Sequence, residues 1–398
     1  MNLLSGELAL PALVLKEKAL ANNIEVMAAY AREHGFFLAP HAKTTMAPQL
    51  FKRQLDAGAW GMTVANMTQA VVAYEAGASR VLVANEIVGR ADAVAASRAL
   101  GMPGRELYCL VDSVQGARLL DANMAEAGAG RQLGVLVELG VLGRRTGARS
   151  EEDVLALAAE VAGSRCLALA GVEGYEGVVA SDRSEEALAA VDSYLLSLRH
   201  LVLRLGDGGA FPGGAPVLVS AGGSKYFDRV AELLGPKAKQ GGHYGSLDVQ
   251  LIVRSGCYLV HDHGAYALTS PLAATAGSAR PLLPALELWA EVLSAPEPGL
   301  AIVGLGKRDG PYDLGLPVPL GVVRAGERAV GPFTGARLLS LDDQHGYLRL
   351  DPPGEALAPG DRVIFGISHP CTAFDKWRTV LLVDSGYEVR EEIRTFFH

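Results

Sequence analysis

Cysteine is scarce in this 398-residue chain: the four residues Cys109, Cys166, Cys257 and Cys371 form no C-x-x-C pair and no regular spacing. Such a set excludes a disulfide framework and is expected of a chain kept in a reducing cytoplasm. Aromatic residues are also few, at 6%. Long apolar runs are missing. The first candidate, "MNLLSGELALPALVLKEKAL", has no basic start and is broken by Pro11 and Lys16, so neither a signal peptide nor a membrane helix is expected. Basic clusters are missing too. A net charge of -8 with both signs scattered along the chain argues against a nucleic-acid surface and a polybasic membrane patch, which leaves a small molecule as the expected partner.

What the chain has is apolar residues, 49% of the total, and 47 glycines. A length of 398 residues exceeds one ordinary core and accommodates a barrel of about 250 residues plus a smaller domain. Eight apolar runs, each ending in a polar tip, read as strands: "FFLAPHAK", "GMTVAN", "RVLVANE", "ELYCLVDS", "QLGVLVELG", "LALAGVEGY", "PVLVSAGG" and "LDVQLIVRSG". Between them lie segments of helical periodicity such as "MTQAVVAYEAG" and "EEDVLALAAEVAG", the latter following a possible cap at Ser150. This alternation predicts an α/β fold, a parallel (β/α)8 barrel of the TIM type over residues 12–264. After about residue 265 the texture changes to short β-type runs punctuated by Pro and Gly, "LELWAEVLSAP", "LAIVGLG", "GYLRLDPPGEALAPGDRVIFGI" and "WRTVLLVDSGYEV". They predict a mainly antiparallel β domain over 265–398, joined by roughly residues 1–11.

The strand tips Lys43, Asn66, Glu86, Asp112, Arg145, Tyr175, Ser224 and Ser255 fall at the face where such barrels carry their active sites, although loops are polar in any protein. Among them Lys43 stands out. In "FLAPHAKTTMAP" it ends an apolar run beside His41, where desolvation would make its amine a nucleophile for an aldehyde; the plain alternative is a lysine that reaches out to the rim. The loops "VSAGGSKYFD" and "RSGCY" place Gly222, Gly223, Ser224, Ser255, Gly256 and Tyr258 after the seventh and eighth strands. Barrels commonly hold a phosphate there on backbone amides, though each glycine pair is equally a tight turn. A lysine and a phosphate site in one barrel mouth imply pyridoxal 5'-phosphate.

At these residues the chain resembles the D-serine dehydratase and D-threonine aldolase family, pyridoxal-phosphate enzymes with the alanine-racemase type of barrel plus β domain. "PHAKTTMAP" is similar to the family's cofactor-lysine motif, which implies Lys43 as the Schiff-base residue. "GRRTG" is similar to its R-x-G segment, implying Arg145 near the pyridine nitrogen, and "VEGYEG" to the segment that brings Tyr175 beside the ring. "GISHPCTAFDKWR" resembles the C-terminal metal motif, with His369 and Cys371 as ligands. Imidazole plus thiolate favours zinc, and two residues alternating along a strand would share one face.

The resemblance implies a zinc-assisted lyase that dehydrates and deaminates a D-β-hydroxy amino acid (D-serine, D-threonine or 3-hydroxy-D-aspartate) to a 2-oxo acid and ammonia. His-x-Cys goes with the dehydratases of the family and His-x-Asp with its aldolases. An aldolase giving glycine and an aldehyde, a racemase, or a non-catalytic carrier of the cofactor remain as alternatives, and a homodimer is implied. Lys307, Arg308 and Asp309 either line the substrate end or form a charged turn, and His261 with His263 either bind a second metal or belong to the exit of the eighth strand.

Overall fold

A computed structural model describes residues 1–236, 244–351 and 356–397. The chain divides into two compact units. One comprises Met27–Lys43 and Phe51–Gly256, the other Met1–Val26, Thr44–Leu50 and Cys257–His398.

After β1 (Ala12–Lys16), which belongs to the second of these units, the first contains β2 (Phe37–Leu38), β3 (Met62–Val64), β4 (Arg80–Glu86), β5 (Glu106–Val111), β6 (Leu133–Leu139), β7 (Leu167–Gly174), β8 (Val217–Ala221) and β9 (Val249–Val253). All eight predicted strands are present. They form one parallel sheet in the order β2-β9-β8-β7-β6-β5-β4-β3. A parallel bridge between His41 and Thr63 joins its two ends, so the sheet is a closed barrel. Ala39, Leu82, Leu110, Leu136, Leu218 and Ile252 pack together inside it.

Helices follow the strands because the sequence caps them. Asn66, Ser113, Ser150 and Ser184 each accept a hydrogen bond from the backbone amide three residues on, which is worth about 1 kcal/mol per helix. Asn66 and Ser113 sit close behind β3 and β5 and fix where the polar tip turns into helix, whereas longer loops separate Ser150 and Ser184 from β6 and β7. These turns and loops are where the candidate site residues lie.

The other unit is built on β10 (Leu286–Glu297), β11 (Leu300–Val303), β12 (Val318–Val323), β13 (Gly331–Pro332), β14 (Ala336–Leu341), β15 (Gly346–Leu350), β16 (Arg362–Gly366), β17 (Thr379–Val383) and β18 (Val389–Arg394). Their sheet runs β13-β12-β16-β10-β1-β17-β18, with β11, β15 and β14 continuing from β10. The N-terminal strand β1 is thus central, antiparallel to β10 and parallel to β17. Its residues Leu13, Val14 and Leu15 are buried, as a strand covered on both faces requires. Among the described residues no helix is long and apolar enough to cross a membrane.

Candidate active site

The strand that leads to Lys43 is short. β2 covers only Phe37–Leu38, and the chain then passes Pro40, which has no amide to donate, into a 3₁₀ turn at Ala42–Thr44. Thr63 donates to the Pro40 carbonyl at 3.0 Å, pinning the turn to the neighbouring strand. Lys43 is exposed, so the expectation that the chain itself desolvates this amine is not met: the residue stands on a turn beyond the ladder. Its backbone amide donates to His41 Nδ1 at 3.4 Å. Burial holds the His41 ring well below its ordinary pKa, and the positive charges of Lys43, Arg254 and Arg145 lower it further. Lys43, Arg145 and Arg254 therefore converge on one neutral imidazole.

Beneath them the barrel holds charges, of which only Glu86 was among the strand tips. Arg254 and Glu173, both almost fully buried, form an ion pair, and Arg254 also donates to Ser220 Oγ at 3.2 Å. Glu138, 3% exposed, accepts from Thr146 Oγ1 at 3.1 Å. Burial pushes the Glu138 carboxyl up to about 7, and its contact with Glu86 raises it as well. Glu86 is raised too, by burial first. Glu86 Oε1 and Glu138 Oε2 are buried and have no hydrogen-bond partner among the described residues. Burial also lifts Glu173 to about 7, against the pull of Arg254. The sequence signal for Glu138, Glu173 and Arg254 is a charge inside an apolar run, as in "VELG", "VEGY" and "IVRSG", rather than at its tip.

Tyr175 is held between glycines. A Cβ on Gly177 would stand 2.4 Å from its Cζ, and one on Gly223 would stand 2.8 Å from its Cε2. Arg145 Cζ lies 4.6 Å from the ring centroid on the rim, exposed. Arg254 is the buried arginine of this region.

The two glycine loops do come together. Ser255 Oγ donates to the Gly223 carbonyl at 2.8 Å, and Arg254 N donates to the Gly222 carbonyl at 3.1 Å. The amides of Gly222 and Gly223 are not bare, however: they donate to the Glu176 carboxylate at 3.0 and 2.7 Å. These amides hold an anion, and it is one of the chain's own. The buried residues Ser255 and Gly256 have amides with no acceptor among the described residues. Gly222 has φ +95° and a Cβ there would meet Val253 Cγ1 at 2.9 Å, so the backbone must stay bare to let the loops approach. The lysine, the buried donors and the close-packed glycines fit a phosphate-bearing aldehyde cofactor.

In the other unit, Tyr258 is buried in the turn Cys257–Leu259. His369 and Cys371 do not lie on a strand. β16 ends at Gly366, and Pro370 turns the chain into a 3₁₀ turn at Pro370–Thr372, with His369 as its cap residue. The alternation argument therefore fails, because proline breaks the ladder. Another feature orients the imidazole: Nδ1 lies 2.7 Å from Asp313 Oδ2, whose other oxygen accepts from Thr372 at 3.3 Å. This leaves Nε2 to face a ligand, the carboxylate–histidine arrangement common at metal sites. Tyr266 Oη lies 3.9 Å from Cys371 Sγ. Among the described residues no group of three or more His, Cys, Asp or Glu side chains could hold a metal. An imidazole and a thiol are donor types that suit zinc.

His261 and His263 follow the 3₁₀ turn Cys257–Leu259 rather than a strand, and among the described residues they belong to no group of three or more side chains that could hold a metal. His261 is buried with φ 47°, and the His263 ring packs against Gly366. Burial lowers both to about 4. Lys307, Arg308 and Asp309 form a turn: Gly306 N donates to Asp309 Oδ2 at 2.7 Å, Arg308 pairs with Asp343, and Trp377 of "FDKW" donates to the Asp309 carbonyl at 2.8 Å.

The fold and these two clusters define an alanine-racemase-like enzyme architecture. Residues 15–205 match the alanine racemase N-terminal domain and residues 285–383 the putative serine dehydratase domain. These matches and the relatives that follow make the chain similar to pyridoxal-phosphate enzymes that process D-amino acids. It is 27% identical to a D-threonine aldolase of Arthrobacter sp. over 94% of this chain and 89% of that one. It is 28% identical to a 3-hydroxy-D-aspartate aldolase of Paracoccus denitrificans over 79% and 76%. Among solved structures, a D-threonine aldolase from Filomicrobium marinum superposes with TM-score 0.79 at 26% identity, covering 98% and 96%. A D-threo-3-hydroxyaspartate dehydratase from Delftia sp. HT23 shares the fold, with TM-score 0.75 at 23% identity and coverage of 100% and 99%.

Proposed function

We propose that this protein is a pyridoxal-phosphate and zinc-dependent lyase that removes the hydroxyl group of a D-β-hydroxy amino acid and releases a 2-oxo acid and ammonia. Pyridoxal phosphate, when bound, supplies the electron sink that acidifies the substrate Cα–H, and zinc supplies Lewis acidity at the β-oxygen. Lys43 carries the cofactor aldehyde and moves the proton at Cα. The loops at Gly222–Ser224 and Ser255–Gly256 bind the phosphate, with Tyr258 assigned to the same group, and Tyr175 and Arg145 flank the ring. His369 and Cys371 hold the zinc, and Asp313 keeps His369 Nε2 turned to it.

The observation that carries the reading is the Asp313–His369 hydrogen bond of 2.7 Å beside Cys371, an imidazole fixed for a metal next to a soft thiol. A second reading, aldol cleavage to glycine and an aldehyde, is favoured by the names of the curated relatives, a D-threonine aldolase and a 3-hydroxy-D-aspartate aldolase. A panel of D-serine, D-threonine and 3-hydroxy-D-aspartate, assayed for ammonia and for glycine with and without a chelator, separates the two. Ammonia release that stops on chelation and returns with zinc is the expected result. Glycine as the sole amino product selects the aldolase, and turnover of L-isomers alone removes both readings.

A further inference from the structure

Two of the four cysteines meet. Cys257 begins the turn Cys257–Leu259 and Cys371 lies in the turn Pro370–Thr372, 114 residues further along the chain, yet their Sγ atoms are 3.2 Å apart. Both lie in the β unit. Cys257 is 6% exposed and Cys371 is half-buried, so a small solute reaches Cys371 first. Thr44 Oγ1 stands 3.9 Å from Cys257 Sγ, and Tyr266 Oη stands the same distance from Cys371 Sγ. A disulfide needs the two sulfurs at about 2.0 Å, so closure asks for an approach of roughly 1 Å. A partly exposed thiol poised beside a second, sheltered one is the arrangement of a redox-sensitive cysteine with its resolving partner.

We propose that Cys257 and Cys371 are a modification site, a reversible disulfide whose formation withdraws Cys371 from the zinc. The second half rests on the reading of Cys371 as a metal ligand. With hydrogen peroxide as oxidant, the Cys371 sulfur attacks one oxygen, the O–O bond breaks, and water leaves with a sulfenic acid on Cys371. The Cys257 sulfur then attacks that sulfur, the S–S bond forms, the S–O bond breaks and a second water departs. Two thiols and one peroxide give one disulfide and two waters, the thiols losing two electrons and the peroxide gaining them. A small dithiol returns both electrons and both protons.

The test takes the full-length protein loaded with cofactor and zinc, treats it with stoichiometric hydrogen peroxide, and follows the peptide map without reductant together with zinc release to a chelating dye. The expected result is a Cys257–Cys371 linked peptide, zinc release in step with it, and reversal of both by a dithiol. In Cys257→Ser the link is absent: the same dose leaves Cys371 as a sulfenic acid, and a second equivalent of peroxide carries it on to the sulfinic acid, which the dithiol does not reverse. Sulfinic acid at Cys371 of the unaltered protein with no linked peptide at any dose overturns the pairing. A linked peptide formed while all zinc stays bound overturns the withdrawal, and in that case it is the metal reading of Cys371 that fails.

Discussion

Glu138 shows how far one buried carboxyl can be shifted. Its pKa rises from an ordinary 4.5 to about 7, burial first and the Glu86 contact after it. Between these values the folded protein holds a proton that the unfolded chain has lost, so stability falls as pH rises from about 4.5 to about 7. Glu138→Gln removes that dependence while its amide oxygen can still accept from Thr146. Relative to the unaltered protein, the variant should gain on the order of 1–3 kcal/mol as pH goes from 5 to 8, read as a widening difference in melting temperature. A difference that stays constant with pH would mean that Glu138 is ionised throughout. Arg145 also acts on this carboxyl, and Thr146, its hydrogen-bond donor, is the next residue along the chain. Through Thr146, Glu138 ties down the loop that carries Arg145.

At the scale of elements, the loop after β8 is shaped by what it lacks. A methyl group at Gly223 would meet the Tyr175 ring at 2.8 Å, and the ring, already hemmed in by Gly177, would have to move. Gly223→Ala should therefore weaken pyridoxal-phosphate binding about tenfold, roughly 1.4 kcal/mol, with little change in the melting temperature of the cofactor-free protein. Fluorescence titration with the cofactor checks this; unaltered affinity would place Tyr175 away from it. The same loop carries the amides that hold Glu176, so any phosphate bound there competes with a carboxylate or relies on Ser255 and Gly256. The turn at Pro370–Thr372 makes a related point: His369 and Cys371 stand on a proline-directed turn, not on the pleat of a strand.

At the scale of the molecule, the first strand completes the last sheet. β1 lies between β10 and β17, and Leu15 in it is fully buried. Leu15→Ala should cost about 2–5 kcal/mol, measurable by denaturant unfolding, and a loss below about 1 kcal/mol would show that the strand is dispensable. The barrel and its helices were legible in the sequence, as was the capped start at Ser150, because the period of apolar residues and a capping side chain are local properties. The distinctiveness of Lys43, the glycine loops and the His369–Cys371 motif was legible for the same reason: each is contained in a dozen residues. Only the tertiary structure decided that Arg254 pairs with Glu173, that Glu138 faces Glu86, that Glu176 sits on the amides of Gly222 and Gly223, that Asp313 holds His369, and that Cys257 meets Cys371. Each of these contacts joins residues distant in the chain. They depend on how strands are ordered and how loops turn above them, and no local pattern encodes that.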